Sequence, residues 1–279
     1  MLKQNLCNDS HGSCEEFFFD FFDRQSYPSQ YCMKLSFTIP AYNEEACLGS
    51  CLQSVFAQIE PHKLGQDIEI IVVNNASTDK TKEVALSFPN VRVVDEYKKG
   101  VMHARQAGFV AASGDIIANI DADVILPEGW IERAEKEFSS DKALVALSGP
   151  YLYYDAPLFQ KILIQLFYLS SFMLYRVSYS VFGVGAMAQF GNFAIRREVL
   201  LQTKGYNTDI TFYGDDTDTA KKLSAFGKVK WTLNMRVLSS YRRLKGEGII
   251  RMGIRYTLNY FWVTFFSQPF TKEYKDIRS

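Results

Sequence analysis

The 279-residue sequence predicts an α/β fold in which helices flank a mostly parallel central sheet. Short apolar runs alternate with helix-length segments four times in the first half of the chain, the pattern of strand–helix units with right-handed crossovers. The run at 67–73, DIEIIVV, is almost continuously apolar, as in a parallel sheet covered on both faces. The length allows one large α/β domain or two small ones.

The first elements follow from local patterns. A strand is predicted at Lys34–Ile39, where Pro40 ends it. Asn43, followed by two glutamates, is expected to begin a helix that runs to about Gln58, because a capping side chain and early acids favour a helix N-terminus. Strands at 67–73 and 91–94 and helices at 80–88 and 100–112 come next. For the helix at 80–88, any of three residues is expected to provide the N-terminal cap: Ser77, Thr78 or Asp79.

The regular alternation ends after a further helix at 128–138 and a strand at 144–149. The segment 157–182 is apolar on nearly all sides but is interrupted by Lys161, Gln165 and Arg176, so we predict a buried or surface-lying helix and no membrane span. A strand at 190–195, a short helix to 204, a helix from 214 to about 226 and a last clear strand at 228–233 follow. Residues 246–266 form an amphipathic segment that either packs on the body or faces a membrane.

Composition limits which classes of partner and which cellular compartment are expected. The net charge is zero, so nothing global indicates nucleic acid, whereas the last 39 residues are apolar and carry eight basic against three acidic residues. That combination fits a membrane surface. All five cysteines lie in the first 51 residues without a CxxC pair, and no basic region with an apolar run marks a signal peptide. We therefore expect a cytoplasmic protein, with peripheral contact to the inner face of the cytoplasmic membrane through 246–266.

The stretch at 114–127, GDIIANIDADVILP, carries the first chemical signal. A buried apolar run ends abruptly on Asp121-Ala122-Asp123, and carboxylates at i and i+2 of an extended chain lie on one face. Two like charges at this distance favour a hard divalent cation such as Mg²⁺ or Mn²⁺, which often bridges to substrate phosphates. The alternative is a turn in which both carboxylates are solvated.

A second acidic cluster opens the helix at 214–226. Asp215, Asp216 and Asp218 occupy its start, where the helix dipole favours negative charge, so capping alone explains part of the cluster. Three carboxylates are more than capping requires, and one of them is a candidate general base.

The order and spacing of five motifs resemble the family 2 glycosyltransferases, over about Lys34 to Tyr241. The motifs are Ile39–Glu45, Val72–Asp79, Gly100–Arg105, Asp121-Ala122-Asp123 and Gly214-Asp215-Asp216. The resemblance implies one continuous GT-A domain at 33–240, with a nucleotide-sugar-binding half at 33–150 and an acceptor-binding half at 151–240. A poorly ordered extension at 1–32 and a basic amphipathic helical tail at 241–279 would flank it.

The resemblance also implies the reaction, in which an inverting enzyme moves a sugar from a nucleoside diphosphate donor to an acceptor hydroxyl. A loop that holds the base and ribose is matched by Pro40, Ala41, Tyr42 and Glu44. Asn75 matches a position that is often aspartate and contacts the base, so base preference between UDP and GDP is open. Arg105 matches a basic residue near the ribose and diphosphate.

The acidic motifs match the remaining roles. Asp123 corresponds to the direct ligand of Mn²⁺ or Mg²⁺, while Asp121 lies nearer the ribose or sugar and shares the metal, with Ala122 between them on the nucleotide-sugar side. Asp216 matches the catalytic base, and Asp215, on the acceptor side, stands where glutamate is usual. The membrane-like C-terminal composition points to a lipid-linked or envelope glycan acceptor.

The C-terminal part departs from the pattern. Tyr241-Arg242-Arg243 does not match the Gln-x-x-Arg-Trp motif of processive members, so transfer of one sugar is expected, and no histidine after His103 could serve as a further metal ligand. Two other classes stay open. A nucleotidyltransferase would need a glycine-rich basic loop where this chain has acidic PAYNEE, and a non-catalytic membrane-associated binding module would not need the carboxylates.

Overall fold

The computed structural model describes residues 33–59, 68–183, 187–210 and 213–271, so the predicted extension at 1–32 lies outside the described residues. Ten strands and nine α-helices lie within these ranges. The strands are β1 Leu35–Ala41, β2 Ile68–Asn74, β3 Val91–Asp95, β4 Ile116–Ile120, β5 Val124–Ile125, β6 Leu144–Ser148, β7 Tyr151–Tyr153, β8 Asn192–Arg196, β9 Lys228–Trp231 and β10 Val237–Ser239. The helices are α1 Leu48–Ile59, α2 Thr81–Leu86, α3 Val101–Ala111, α4 Trp130–Ser140, α5 Leu158–Phe182, α6 Arg197–Gln202, α7 Asp215–Ser224, α8 Arg242–Glu247 and α9 Ile249–Phe266.

Seven strands form the central sheet in the order β3-β2-β1-β4-β8-β6-β9. The pairs among β1, β2, β3 and β4 are parallel, as is β6 with β9, whereas β8 runs antiparallel to both β4 and β6. This arrangement confirms the mixed α/β class and the mostly parallel sheet. Because β1, β2 and β4 are parallel, their carboxyl ends meet at one edge, which is where open α/β sheets bind ligands.

A second, three-stranded sheet in the order β5-β10-β7 was not predicted from the sequence. Its strands have two or three residues each, too few for a period-of-two pattern to be visible. In this sheet β10 pairs with β5 through Leu238 and Ile125. This pairing brings the residues near 240 beside the segment that follows Asp123.

The predicted start of the first helix was wrong. The helix α1 begins at Leu48, whereas Asn43 has a positive φ of 51° and belongs to a loop. Its Oδ1 accepts a hydrogen bond from Thr78 N at 2.9 Å, and Glu45 Oε2 accepts one from Lys80 N at 2.9 Å. The polar side chains after β1 therefore bind the backbone of the loop before α2 instead of capping α1. These hydrogen bonds link the two loops at the sheet edge.

Helix α5 packs on the body with part of its surface only. By length and composition it is the one helix in the described ranges that could cross a membrane, and 17% of its apolar stretch is buried. Its predicted placement, buried or on the surface without spanning, stays a prediction.

Helix α9 is amphipathic as predicted, with Met252, Asn259 and Val263 buried and much of the opposite face exposed. Lys221 of α7 donates to the carbonyl oxygens of Val263 at 3.2 Å and Thr264 at 2.7 Å, which fixes α9 against α7. One compact unit, Tyr31–Ser279, contains the sheets and these C-terminal helices. The division into two halves and a tail stays a prediction.

Candidate active site

The carboxyl ends of β1, β2 and β4 open onto a cavity of about 1040 Å³. Every residue that the sequence assigned to the site lines this cavity: Pro40, Ala41, Tyr42, Glu44, Asn75, Arg105, Asp121, Ala122, Asp123, Asp215 and Asp216. Its volume lies at the upper end of the roughly 300–1,000 Å³ typical of ligand pockets. The fold therefore brings together groups that are up to 176 positions apart, Pro40 and Asp216.

Asp121 is held by two neighbours at the end of β4. Arg105 Nη2 donates to its Oδ1 at 2.8 Å, and the hydroxyl of Tyr151 donates to its Oδ2 at 3.4 Å. Arg105 is 3% exposed and lies over the ring of Phe190 at 4.5 Å, while its Nε and Nη1 make no hydrogen bond within the described residues. A buried guanidinium with unused donors at a cavity wall suits an anion with several oxygens.

Gly191, directly before β8, leaves no space beside Asp121. A Cβ at this position would clash with Asp121 Oδ2 and with the hydroxyl of Tyr151. Asp121 N also donates to Gly191 O at 3.4 Å, so the backbone lies directly against the carboxylate. Glycine is required here by close approach, and the sequence alone contained no signal for it.

Asp123 is bound to a residue that sequence reasoning missed. Arg242 Nη2 lies 2.6 Å from both carboxylate oxygens of the buried Glu44 and 3.3 Å from Asp123 Oδ2. Arg242 begins α8 and belongs to Tyr241-Arg242-Arg243, whose pattern alone gives no sign of a contact with Asp123. Its single positive charge offsets part of the repulsion between these two carboxylates in the cavity wall.

The described residues contain no cluster of three or more His, Cys, Asp or Glu that could hold a metal ion alone. Asp121 and Asp123 supply hard oxygen ligands that line the same cavity, and Mg²⁺-like ions are commonly bound by one or two carboxylates together with substrate phosphates. The residues therefore fit a divalent cation that arrives with an anionic ligand, provided that Arg242 releases Asp123.

Asn75 is 3% exposed and its amide holds the loop before α3. Its Nδ2 donates to the carbonyl oxygens of Glu96 at 3.0 Å and Lys98 at 2.8 Å, and its Oδ1 accepts from Gly100 N at 2.8 Å. Gly100 has a φ of 144°, which favours glycine, and it directly precedes the helix that carries Arg105. Both donors of Asn75 thus position this loop, and its predicted contact with a base stays a prediction.

Tyr42 forms the neighbouring part of the wall. Lys99 Nζ donates to its hydroxyl at 2.6 Å and lies 4.0 Å from the centre of its ring. Tyr42 follows β1 and Lys99 precedes α3, and an aromatic face with a cation beside it suits a planar and anionic ligand such as a nucleotide.

Asp215 and Asp216 form the first turn of α7 on another wall of the cavity. Gly214 precedes them with a φ of 83° and packs against Val263 of α9, where a Cβ would lie 2.7 Å from that side chain. Burial raises the pKa of Asp216 to about 6, against hydrogen bonds from Thr217 that lower it. Burial, and then the charge of Asp216, raise the pKa of Asp215 well above its ordinary value. A half-buried carboxylate with a pKa near 6 is ionised at neutral pH and still basic enough to take a proton.

Solved structures with the same fold include a mannosyltransferase, PcManGT from Pyrobaculum calidifontis, in complex with GDP-Man and Mn²⁺. It covers 84% of this chain and 64% of its own, with 22% identity and a TM-score of 0.62. A second match is glucosyl-3-phosphoglycerate synthase from Mycobacterium tuberculosis, in complex with Mn²⁺ and UDP-glucose. This match covers 82% of the present chain and 78% of the synthase, with 22% identity and a TM-score of 0.56. At these identities the likeness concerns the fold, and it confirms the predicted GT-A architecture.

Among curated proteins, glycosyltransferase AglE of Haloferax volcanii is 34% identical over 110 residues, which are 38% of this chain and 35% of AglE. The matched stretch therefore spans about a third of that relative. The family model described as "Glycosyl transferase family 2" matches residues 36–203, which is more than half of the chain and includes the β1, β2, α3 and β4 motifs. The chain therefore belongs to glycosyl transferase family 2.

Proposed function

We propose that this protein transfers one sugar, with inversion, from a nucleoside diphosphate sugar to an acceptor hydroxyl, using Mn²⁺ or Mg²⁺. The acceptor is lipid-linked or an envelope glycan. The observation that carries the proposal is that one cavity combines the Asp121–Asp123 pair, the buried Arg105 with unused donors, and a carboxylate of raised pKa, Asp216. These are the groups needed for leaving-group stabilisation and for proton removal.

The donor's nucleoside lies along the ends of β1 and β2, between Tyr42 and the loop held by Asn75. Its diphosphate then reaches Arg105, whose buried Nε and Nη1 have no hydrogen-bond partner among the described residues. The related fold members were crystallised with GDP-Man and with UDP-glucose, which supports a UDP- or GDP-linked donor without choosing between them.

Asp123, together with Asp121, would hold the divalent cation. When bound, this cation supplies stabilisation of the negative charge that develops on the departing diphosphate. The two complexes crystallised with Mn²⁺ support this requirement. This chain's own contribution is to present the carboxylates at the end of β4 and to release Arg242 from Asp123.

Asp216 is the base that accepts the proton of the acceptor hydroxyl, and Asp215 contacts the acceptor side. The position at the N-terminal turn of α7 keeps the ionised form of Asp216 accessible, because the helix dipole and the Thr217 N–H at 2.7 Å favour negative charge. General base catalysis of this kind typically contributes about 10²–10⁴ in rate.

The test is Asp216→Asn, measured for transfer to acceptor and for donor binding by calorimetry with Mn²⁺. We expect transfer to fall by about 10²–10⁴ while the donor dissociation constant changes less than about threefold. Asp209→Asn, at an exposed carboxylate, is the matched control and should leave both unchanged. An equal loss of donor affinity in Asp216→Asn would contradict the assignment of the base.

The competing classes are separated by the products. Metal-dependent release of nucleoside diphosphate from a panel of nucleoside diphosphate sugars supports glycosyl transfer. Release of pyrophosphate from a nucleoside triphosphate would instead support a nucleotidyltransferase, and binding without turnover would support a non-catalytic module.

We propose further that the protein acts on the cytoplasmic side of a membrane, in peripheral contact through 246–266. Trp262, Phe265 and Phe266 are 41%, 56% and 62% exposed near the end of α9. Replacing the two phenylalanines by serine should reduce co-flotation with anionic vesicles, whereas Leu86→Ser, at an exposed leucine of α2, should not. Unchanged flotation of the double variant would refute the contact.

A further inference from the structure

The cavity continues beyond the carboxylates into a groove between α5 and α9. Its lining includes Leu163, Phe167 and Leu174 from α5 and Ile250, Gly253 and Tyr260 from α9. On each helix these residues are separated by three, four or seven positions, so each helix turns one stripe towards the groove. At 1.5 Å per residue the two stripes extend for roughly 15 Å.

The hydroxyl groups of Ser170 and Thr257 in the groove are directed to their own helices, and that of Tyr260 donates across to Ser178 Oγ of α5 at 3.0 Å. Ser170 Oγ donates to Phe167 O at 2.8 Å, and Thr257 Oγ1 donates to Gly253 O at 2.8 Å. A glycan in this groove would need several donors and acceptors, since each buried hydroxyl without a partner costs roughly 1–3 kcal/mol. The groove therefore favours an apolar occupant.

The outer face of α5 beside the groove is largely apolar, interrupted by the exposed Gln165 and Arg176. On α5, the outward-facing Phe159, Leu169 and Met173 are 76%, 53% and 62% exposed. Exposed apolar surface of this kind marks contact with lipid or with another apolar partner. A chain that enters the groove from a lipid surface would not need to cross water.

The polar end of the groove is continuous with the candidate active site. Tyr256 of α9 lines the same cavity as Asp216, and the charges of both Asp216 and Asp215 contribute to raising the pKa of its phenol, after burial as the main cause. An occupant whose chain lies between α5 and α9 would therefore present its polar end near the proposed base.

We propose that the α5–α9 groove binds the hydrocarbon chain of an amphiphilic acceptor and places its hydroxyl at Asp216. This inference rests on the proposed function, which it deepens by naming the acceptor class and its binding site. It selects the lipid-linked acceptor over the soluble glycan.

The chain offers a matched pair of variants at Gly253. A Cβ at this position meets only the ring of Phe167, at 3.7 Å, which is ordinary van der Waals contact. Gly253→Ala should therefore fold well, since alanine is the better helix former. Gly253→Phe places a ring in the groove, and Leu163→Gln places an amide there if the phenylalanine variant fails to fold.

The experiment measures binding of hexyl, octyl and decyl β-D-glucoside by calorimetry, below their micelle concentrations. For the parent protein and Gly253→Ala, we expect affinity to rise with chain length, up to roughly fourfold per methylene. Gly253→Phe and Leu163→Gln should lose this dependence. Met173→Gln, on the exposed face of α5, should keep it.

Two outcomes would overturn the proposal: affinity independent of chain length in the parent protein, or equal losses in Met173→Gln and Gly253→Phe, which would place the chain on the outer face. Metal-dependent hydrolysis of the donor to water is measured in parallel and should be unchanged in Met173→Gln, whose side chain lies outside the cavity. If hydrolysis is absent from every protein while chain-length dependence persists, the proposed function fails and the groove assignment stands.

Discussion

Asp216 should be a residue that lowers the stability of the fold, and its replacement tests the raised pKa directly. Burial raises the pKa of this carboxyl from the ordinary 3.8 to about 6. A difference of about two pKa units corresponds to roughly 3 kcal/mol, at 1.36 kcal/mol per unit. Asp216→Asn removes the charge. The asparagine Oδ1 can still accept the hydrogen bond that Thr217 N donates to Asp216 Oδ1 at 2.7 Å in the parent protein. We therefore expect the variant to be more stable at alkaline pH, by up to about 3 kcal/mol.

The sign of the pH dependence follows from the two pKa values. Above pH 6 the carboxyl is ionised in both the folded and the unfolded state, so the folded protein bears the full cost of a buried charge. Below pH 3.8 it is protonated in both states and this cost is absent. The advantage of Asp216→Asn should consequently be largest near pH 8 and should shrink as the pH falls through 6 towards 4.

The assay is urea denaturation of both proteins at several pH values, in a chelator so that no divalent cation contributes. Asp209→Asn, at an exposed carboxylate, is the control and should follow the parent protein at each pH. A variant that is less stable than the parent at pH 8, or a difference that does not vary with pH, would refute the argument.

Because the charge of Asp216 raises the pKa of Asp215, the double asparagine variant should gain less stability than the sum of the single variants.

Three further predictions concern the same cavity. The rate of metal-dependent transfer should rise with pH and reach half its maximum near pH 6, the pKa of Asp216, in a kcat/KM profile. A flat profile from pH 5 to 8 would contradict the assignment of Asp216 as the base. Arg105→Gln should weaken donor binding by tenfold or more, and Arg105→Lys should restore only part of it, because lysine lacks the planar fork that can bond several phosphate oxygens; calorimetry with a nucleoside diphosphate measures both. Gly191→Ala should weaken Mn²⁺ and donor binding at least tenfold, since the added methyl displaces Asp121, and an unchanged affinity would show that the carboxylate is not needed in its present position.

The sequence predicted the parts of the site that depend on local pattern. Asp121 and Asp123 follow a buried apolar run, so their position at the end of a strand could be inferred, and Asp216 could be placed at the start of a helix. These predictions need only the alternation of strands and helices and the rule that parallel strands end at a common edge.

Other parts of the site depend on contacts between distant residues. Arg242 lies 119 positions from Asp123, and the short strand β10, which brings it close, is too brief to show a pattern. Asn43 has the composition of a helix cap, but the neighbouring loop competes for its side chain and receives it. Gly191 carries no side chain to signal a role, and its requirement arises only from the backbone that faces Asp121.

Two of the arginines that line the cavity, Arg105 and Arg242, lead us to predict that metal and donor bind cooperatively. Arg105 and Arg242 pair with Asp121 and Asp123, so each carboxylate already has a cationic partner. A cation that binds alone must compete with these guanidinium groups, and a diphosphate that binds alone must compete with the carboxylates. When both bind, the phosphate oxygens would pair with the arginines and the carboxylates with the metal, so each ligand would remove the group that competes with the other. Mn²⁺ should therefore tighten nucleoside diphosphate binding by about tenfold or more, and by linkage the nucleotide should tighten Mn²⁺ binding by the same factor. Arg242→Gln should strengthen the binding of Mn²⁺ alone and reduce this factor, whereas equal factors in the variant and the parent protein, measured by calorimetry in both orders of addition, would show that Arg242 does not compete for Asp123.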